Sequence, residues 1–339
     1  MTIIIFEEID EIIEKRFLLM WQAIEIYLKN GKSYFFNFLN NEKCKNILDI
    51  FKNNLITKDK IHYRDFLKKE KLITKRWVEE RLSTYEYLLY VNKYGTRTFN
   101  DTNQYYIFPW LERLNENNKI IRRNLKYQIL AQTDNKIEDA LTKYSEEEGN
   151  HMKFPCHFGP HYSTSAYVYF YLMRVEPFST LLVKLQGYRQ EVADRMFSSI
   201  EEILYTLRVV KDCREIIPEL FNNCEIYLNL NCVDFGNKKD KELIDDFCLD
   251  RKLDVNNEKK EIYINDSKIR HYVKFVIEKK NFLNNKKISS DINNWIDIIF
   301  GVEQLPDKNK RKKSLNIFYK ESYEQNLDLQ RKLKKYQIK

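Results

Sequence analysis

Cys156, His157 and His161 form the one cluster in the sequence whose residue types could hold a metal or carry a nucleophile. Two histidines four residues apart can share a metal on one face of a helix, as in zincins where a glutamate follows the first histidine. Here Gly159 and Pro160 stand between them, both poor in a helix interior, and no glutamate follows His157. A third ligand would have to come from His62, His151, His271 or a carboxylate. A Cys156–His nucleophilic pair needs two side chains within hydrogen-bond reach, and sequence neighbours rarely present theirs to one another. The preferred reading is structural: these imidazoles bond irregular backbone. A metal-assisted hydrolase using Cys156, His157 and His161 is the alternative.

The other chemistry-bearing residues favour bland roles. Glu176 and Asp194 are single carboxylates flanked by Arg174 and Arg195, which predicts ion pairs inside a helical core. With 7 glycines and neither a GxGxxG nor a Walker pattern, no phosphate cradle is expected, and no cofactor. Six cysteines (44, 156, 213, 224, 232, 248) include no CxxC pair, so reduced cytosolic thiols are expected rather than zinc or disulfides. The apolar opening Thr2–Phe6 meets Glu7 and Glu8 at once, unlike a signal peptide. The longest apolar stretch, Ala166–Met173, is under half of the roughly 18 residues that a spanning helix needs. Membrane association is therefore expected to be peripheral.

Charge is uneven. Of a net +8, residues 307–339 carry +7, from 11 Lys/Arg against 4 Asp/Glu. The run Lys308, Lys310, Arg311, Lys312 and Lys313 could meet an anionic membrane surface, each cation adding about 1 kcal/mol there. A solvated face is the bland reading of that run, and nucleic acid is not favoured.

Positioning these residues requires elements. Thr2–Phe6, Arg16–Leu19, Ala23–Leu28 and Tyr34–Phe38 read as short strands, with Asn30-Gly31 a hairpin turn between the last two. Cys44, Ile47, Leu48 and Phe51 recur at helical spacing. Strands closed by one helix suggest the end of a small barrel. Residues 56–71 are polar, lysine-rich and linker-like. Beyond them helices dominate. Ser83 to Glu86 is a capping box, and Gly95 can close that helix with positive φ. The aromatic stretch Thr98–Trp110 keeps no period yet is too apolar to stay in water. It predicts extended chain threaded through a core, its backbone served by Asn100, Asp101, Asn103 and Gln104. Residues 111–150 are polar, helical in places, and include a surface loop. Ala166–Val175 reads as a buried helix, Ala193–Leu207 as a helical stripe, and 236–262 as charged loop. Asp291 and Gly301 bracket a last helix as N-cap and C′ residue. The 43% of hydrophobic residues can bury a sizeable core.

Several long motifs resemble those of the BEACH domain family, in the family's order. They are WVEERLSTYEYLLYVNKYGTRTFNDTNQYYIFPWL, PCHFGPHYS, YLMRVEPFSTLLVKLQG, ADRMFSSIEE, REIIPELF, NNWIDIIFG and LNIFYKESYEQNLDL. The resemblance covers roughly residues 61–335. Upstream, KRFLLMWQAIEIYLKNGKSYFFNF and a helix resemble the last strands of the PH-like domain that precedes BEACH domains, of which about half is present. Departures are Tyr188 for a family glycine, Gln190-Glu191 for Phe-Asp, and Tyr105-Tyr106 for Tyr-Pro. The resemblance implies a mainly α fold, with irregular extended core segments flanked by helices. It further implies 1–55 as the C-terminal part of the PH-like β-barrel with its helix, 56–71 as linker, and 72–339 as BEACH domain with a basic tail. The motif core it assigns starts with Asn100, Asp101, Gln104, Phe108, Pro109 and Trp110. His157, Gly159, His161, Tyr162 and Ser163 follow, then Arg174, Pro177, Phe178, Gln186, Gly187, Asp194 and Arg195, and finally Trp295 and Gly301. The implied function is a non-enzymatic trafficking scaffold, cytoplasmic and peripheral to endomembranes, whose partners are trafficking proteins.

Overall fold

A computed structural model describes residues 3–62, 67–159, 161–189, 192–209, 212–239, 244–249, 266–304, 308–319 and 322–323. Contacts divide the chain into two units, 1–106 with 319–339, and 107–318. Helix predominates in the described residues, and the sheets are small.

In the first unit β1 (Ile9–Phe17), β2 (Met20–Leu28) and β3 (Ser33–Asn37) form an antiparallel meander that α1 (Asn41–Asn53) covers. β4 (Ile61–His62) then adds a parallel edge, giving the order β3-β2-β1-β4. Period-2 alternation explains the packing: Ile12, Ile24, Ile26 and Leu28 meet Cys44 and Leu48 of the helix in one apolar cluster. The Asn30-Gly31 hairpin forms as expected, with Gly31 at φ 83°. Two expectations fail. Thr2–Phe6 contributes no described strand, and β1 runs instead through the charged Asp10, Glu11, Glu14 and Lys15. Arg16–Leu19 is not a strand of its own, because Leu18 and Leu19 form the turn joining β1 to β2, both at positive φ (48° and 65°). Nor does a barrel close among the described residues: the sheet is open.

The stretch expected as linker supplies β4 and the start of α2 (Leu67–Val78). α3 (Thr84–Tyr94) starts with the expected capping box between Ser83 and Glu86. Its end differs, since Gly95 keeps φ at −72° and Thr96 takes the left-handed conformation at 70°. Trp77 stacks on Tyr87 at 4.3 Å and donates to Thr84, holding α2 on α3.

The second unit begins with buried extended chain. Phe108 exchanges backbone bonds with Ile216. The polar stretch beyond folds as a small hairpin, β5 (Glu112–Leu114) and β6 (Ile120–Arg122), followed by α4 (Asp134–Gly149). α5 (Ser165–Tyr171) ends earlier than hydrophobicity predicts, and α6 (Phe178–Leu185) follows. The expected 193–207 helix is split. Ala193–Arg195 is a single 3-10 turn, Ser199 bridges to Cys248 as extended chain, and only then does α7 (Ile200–Val209) start. Rings of Tyr171, Phe197, Tyr227 and Phe247 fill the middle of this unit.

α8 (Asp266–Leu283), α9 (Lys286–Ser289), α10 (Ile292–Ile299) and α11 (Lys308–Lys313) complete the described helices. Asp291 precedes α10 but caps nothing, because its carboxylate pairs with Arg122. Gly301 does stand just past the helix end, where a Cβ would come within 2.7 Å of Asp297 Oδ1 and 2.8 Å of its Cα. Most of the charged stretch 236–262, Pro160, Gln190-Glu191 and the tail from 324 lie outside the described residues.

Candidate functional site

In the first unit the face of the sheet opposite α1 carries Glu11, Ile13, Lys15, Ala23, Glu25 and Tyr27 in cross-strand register. Charges in the middle of strands belong at a surface, yet Glu11, Lys15 and Glu25 are buried. The end of α3 and the chain after it cover them. Lys15 Nζ donates to the carbonyls of Lys93 (2.7 Å) and Arg97 (2.6 Å) and lies 3.4 Å from Glu25. Glu25 accepts from Tyr27 (2.5 Å), Ser33 (3.0 Å), Thr98 (2.7 Å) and Asn100 (2.9 Å). Glu11 pairs with Lys93 at 2.5 Å and accepts from Tyr94 at 3.1 Å. Lys93 also lies over the Tyr27 ring at 3.8 Å. Burial pulls the Lys15 ammonium down to about 8, with Glu25 partly opposing the shift. The sheet is thus fastened to residues 93–100 by a satisfied ionic network.

Asn100 belongs to this network. It bonds the Glu25 carboxylate and Ser33, not backbone as expected, and its residue surface is exposed. Asp101 does serve backbone. It accepts from the Asn103 amide at 2.9 Å, and burial raises its carboxyl. Gln104 contributes main chain, its carbonyl accepting from Thr98.

In the second unit Phe108, Pro109 and Trp110 are buried, and Trp110 donates from its indole to the Arg214 carbonyl at 3.1 Å. Beneath them Arg123 grips Glu215 with two parallel bonds of 2.8 and 2.9 Å, both side chains fully buried. Glu215 also accepts from the Trp110 amide. Tyr162 and Ser163 are buried beside this strand-like segment, the Tyr162 carbonyl accepting from Glu215.

His157 is 2% exposed. Its Nδ1 accepts from the Ile317 amide at 3.2 Å, so the proton sits on Nε2, which has no partner. The ring stacks on Tyr144 at 4.9 Å. Burial first, then the Lys143 and Lys312 charges, push it down to about 4, so it is neutral at pH 7. His161 is half-buried, and its Nδ1 lies 2.9 Å from the Ser163 carbonyl. Cys156 Sγ is 3.1 Å from Lys143 Nζ, and burial raises its thiol, which disfavours the nucleophilic thiolate. All six cysteines are free. Among the described residues, no three His, Cys, Asp or Glu side chains are grouped to hold a metal ion. Gly159 is half-buried in the same turn.

Arg174 is 1% exposed and donates to the carbonyls of Asp245 and Phe197, with Phe235 and Phe247 beside it; burial pulls it down to about 10. Glu176 does not pair with it. That carboxylate is exposed and accepts from Thr180 in the first turn of α6. Arg195 and Pro177 are exposed, Phe178 packs toward Tyr169, Gln186 ends α6, and Gly187 turns the chain at φ 72°. The side chains of Asp194, Lys308 and Lys310 are outside the described set. Trp295 is fully buried, edge-on to Phe300. Arg311 is half-buried, Lys312 pairs with Glu148 at 3.1 Å, and Lys313 is exposed.

The motif residues lie in both units, Asn100, Asp101 and Gln104 in the first and those from Phe108 to Gly301 in the second. Comparison with known proteins matches two stretches of sequence, with boundaries that differ from those of the two units. The family model of the Beige/BEACH domain covers residues 75–339. The chain belongs to the Beige/BEACH domain family. The model of the PH domain associated with Beige/BEACH covers residues 2–51, which include β1, β2, β3 and most of α1. Similar proteins include the human WD repeat- and FYVE domain-containing protein 4, 30% identical over 96% of this chain and 10% of its own length. The BEACH domain-containing protein lvsD of Dictyostelium discoideum is 29% identical over 93% of this chain and 11% of its length. Beige protein homolog 1 of Schizosaccharomyces pombe is 31% identical over 76% and 10%. This chain spans about a tenth of the length of these relatives.

Sequence reasoning missed Glu11, Lys15, Glu25, Arg123 and Glu215. The signal existed for the first two: Glu11-Ile12-Ile13-Glu14-Lys15 puts charges inside a run otherwise rich in β-branched residues. Arg123 and Glu215 are 92 residues apart, and nothing local marks them as partners.

Proposed function

We propose that this BEACH protein is a non-enzymatic scaffold in membrane and vesicle trafficking, in organelle-size control or autophagy. It works through protein–protein contacts of its PH-like and BEACH segments. We place it in the cytoplasm, peripherally on endomembranes. The observation that carries the reading is the employment of the motif residues. His157, Asp101, Trp110 and Arg174 are committed to backbone groups, and Asn100 to Glu25, which leaves them framework duties instead of an open reactive cleft. Non-enzymatic action follows as part of the same proposal.

Proximity labelling in the native cell, with the intact chain and with one lacking residues 308–339, tests it. Enrichment of vesicle-associated proteins by the intact chain is expected. Turnover of a hydrolase substrate that is lost on His157→Gln or His161→Gln, with stoichiometric metal by elemental analysis, would overturn it.

A second reading concerns lipid, and α11 favours it, since five of its six residues are basic. Direct binding by Lys308, Lys310, Arg311, Lys312 and Lys313 predicts flotation with phosphatidylserine vesicles that falls steeply with salt and vanishes when all five are replaced by Gln. Flotation unaffected by that replacement would exclude it.

A further inference from the structure

Within the 107–318 unit a surface cleft of about 300 Å³ lies among the β5–β6 hairpin, the start of α4 and the end of α7. Its floor is apolar, made by Leu114, Ile129, Leu130, Leu204 and Leu207, each nearly fully buried. Its rim is cationic. Among the described residues that line it, Arg113, Lys136 and Arg208 face one carboxylate, Glu116. Arg208 is already engaged, donating to the carbonyls of Asn115 (3.0 Å) and Glu116 (3.2 Å). Arg113 makes one long contact, Nη1 to the Leu114 carbonyl at 3.4 Å, while its Nε is buried without a partner and burial disfavours its charge. Lys136 meets Asp139 only at 3.9 Å. The 16-residue α4 begins at this rim with Thr133 as N-cap and no side-chain cap bond, and Asp134 in its first turn offsets part of the positive end of the helix.

We propose that this cleft docks a short acidic peptide segment of a partner protein. One aliphatic or aromatic side chain fills the leucine-lined floor, and a neighbouring carboxylate sits against Arg113 and Lys136. The carboxylate meets the Arg113 guanidinium and the Lys136 ammonium in charge-assisted contacts. The volume stands at the lower limit of small-molecule sites, roughly 300–1,000 Å³, and suits one or two anchoring side chains with the main chain outside. Asn115 and Asn135 at the rim can bond that main chain. An apolar anchor ringed by polar contacts is also the pattern of side chains that dominate protein interfaces. The proposal rests on the scaffold reading only for the class of partner.

The test uses the intact chain and a fluorescein-labelled, end-blocked heptapeptide, Gly-Glu-Asp-Leu-Glu-Asp-Gly, read by anisotropy at low salt. Saturable binding is expected. Arg113→Glu and Lys136→Glu should each weaken it by about tenfold or more, equivalent to about 1.4 kcal/mol. Lys45→Glu on α1, which makes the same charge reversal in the other unit, should leave it unchanged. Thermal melts establish that each variant folds, and Arg113→Gln replaces Arg113→Glu if the latter does not. Absence of saturable binding, equal binding by the variants, or equal binding of the heptapeptide with Lys at its acidic positions would overturn the proposal. So would decanoate binding more tightly than the peptide and being lost in the same variants, which would make the occupant a lipid carboxylate. Failure in any of these ways, with proximity labelling still enriching vesicle proteins, would sink this cleft and leave the scaffold reading standing.

Discussion

Removing either member of the Lys15–Glu25 pair should have unequal consequences. Lys15 is fully buried, and its ammonium is pulled from 10.5 to about 8, a penalty of about 3 kcal/mol on the charged form at neutral pH. Lys15→Met removes that penalty along with the ion pair and the two carbonyl contacts. It leaves Glu25 with four donors, from Tyr27, Ser33, Thr98 and Asn100. The net loss should stay within about 1–2 kcal/mol. Glu25→Ala strips those donors of their acceptor and leaves an ammonium buried on two carbonyls, and should cost about 3–5 kcal/mol. The double variant should be more stable than the sum of the two losses implies, by about 2 kcal/mol. Urea unfolding of the intact chain at pH 7, followed by circular dichroism and tryptophan fluorescence, measures all three. A pH series adds a signed check. Between pH 8 and 10.5 the unfolded state keeps the Lys15 proton that the folded state sheds, so wild-type stability should rise by about 1.4 kcal/mol per unit there relative to Lys15→Met. Additive losses, a costlier Lys15→Met than Glu25→Ala, or identical alkaline slopes would refute the reasoning.

Three further outcomes are expected. His157, held near 4, resists the proton that its unfolded form accepts below about 6.5, so stability should fall by about 3 kcal/mol in total as pH drops from 6.5 to 4. His157→Phe should flatten that acid limb in thermal melts, and an unchanged limb would remove His157 as its source. Arg123→Met strands Glu215 in the interior and should lower stability by about 3–5 kcal/mol, seen as a large drop in Tm. A loss under about 1 kcal/mol would mean that water reaches the pair. Replacing the Leu18-Leu19 turn by Asn-Gly relieves two leucines at positive φ and should stabilise the first unit by about 1–2 kcal/mol in urea titrations. No gain would show that leucine adopts this turn without strain.

What could be read in the sequence was what local chemistry decides. The Asn30-Gly31 hairpin, the Ser83 capping box, the α1 stripe and the buried aromatic thread through Phe108 and Trp110 each follow from residues within one turn or one strand of each other. The failures share a cause in tertiary context. Residues 9–15 of β1 lie outside the expected strands, and the partners of their charges Glu11 and Lys15 lie on α3 and beyond it. Asp291 looked like an N-cap until Arg122, 169 residues away, took its carboxylate. The stripe Ala193–Leu207 carries helical spacing, but the pairing of Ser199 with Cys248 breaks it. The histidines were assigned the right bonding class, backbone partners, yet which backbone (Ile317 for His157, Ser163 for His161) had no signature in the sequence.

The central claim is that the PH-like sheet and α3 behave as one cooperative body, fastened through buried charge. Native-state hydrogen exchange on the intact chain addresses it directly. Amides of β1 and β2, such as those of Ile13 and Ile24, should open with the same free energy as those of α3, within about 1 kcal/mol. Exchange of the strand amides through a separate opening several kcal/mol easier, with α3 still protected, would contradict it.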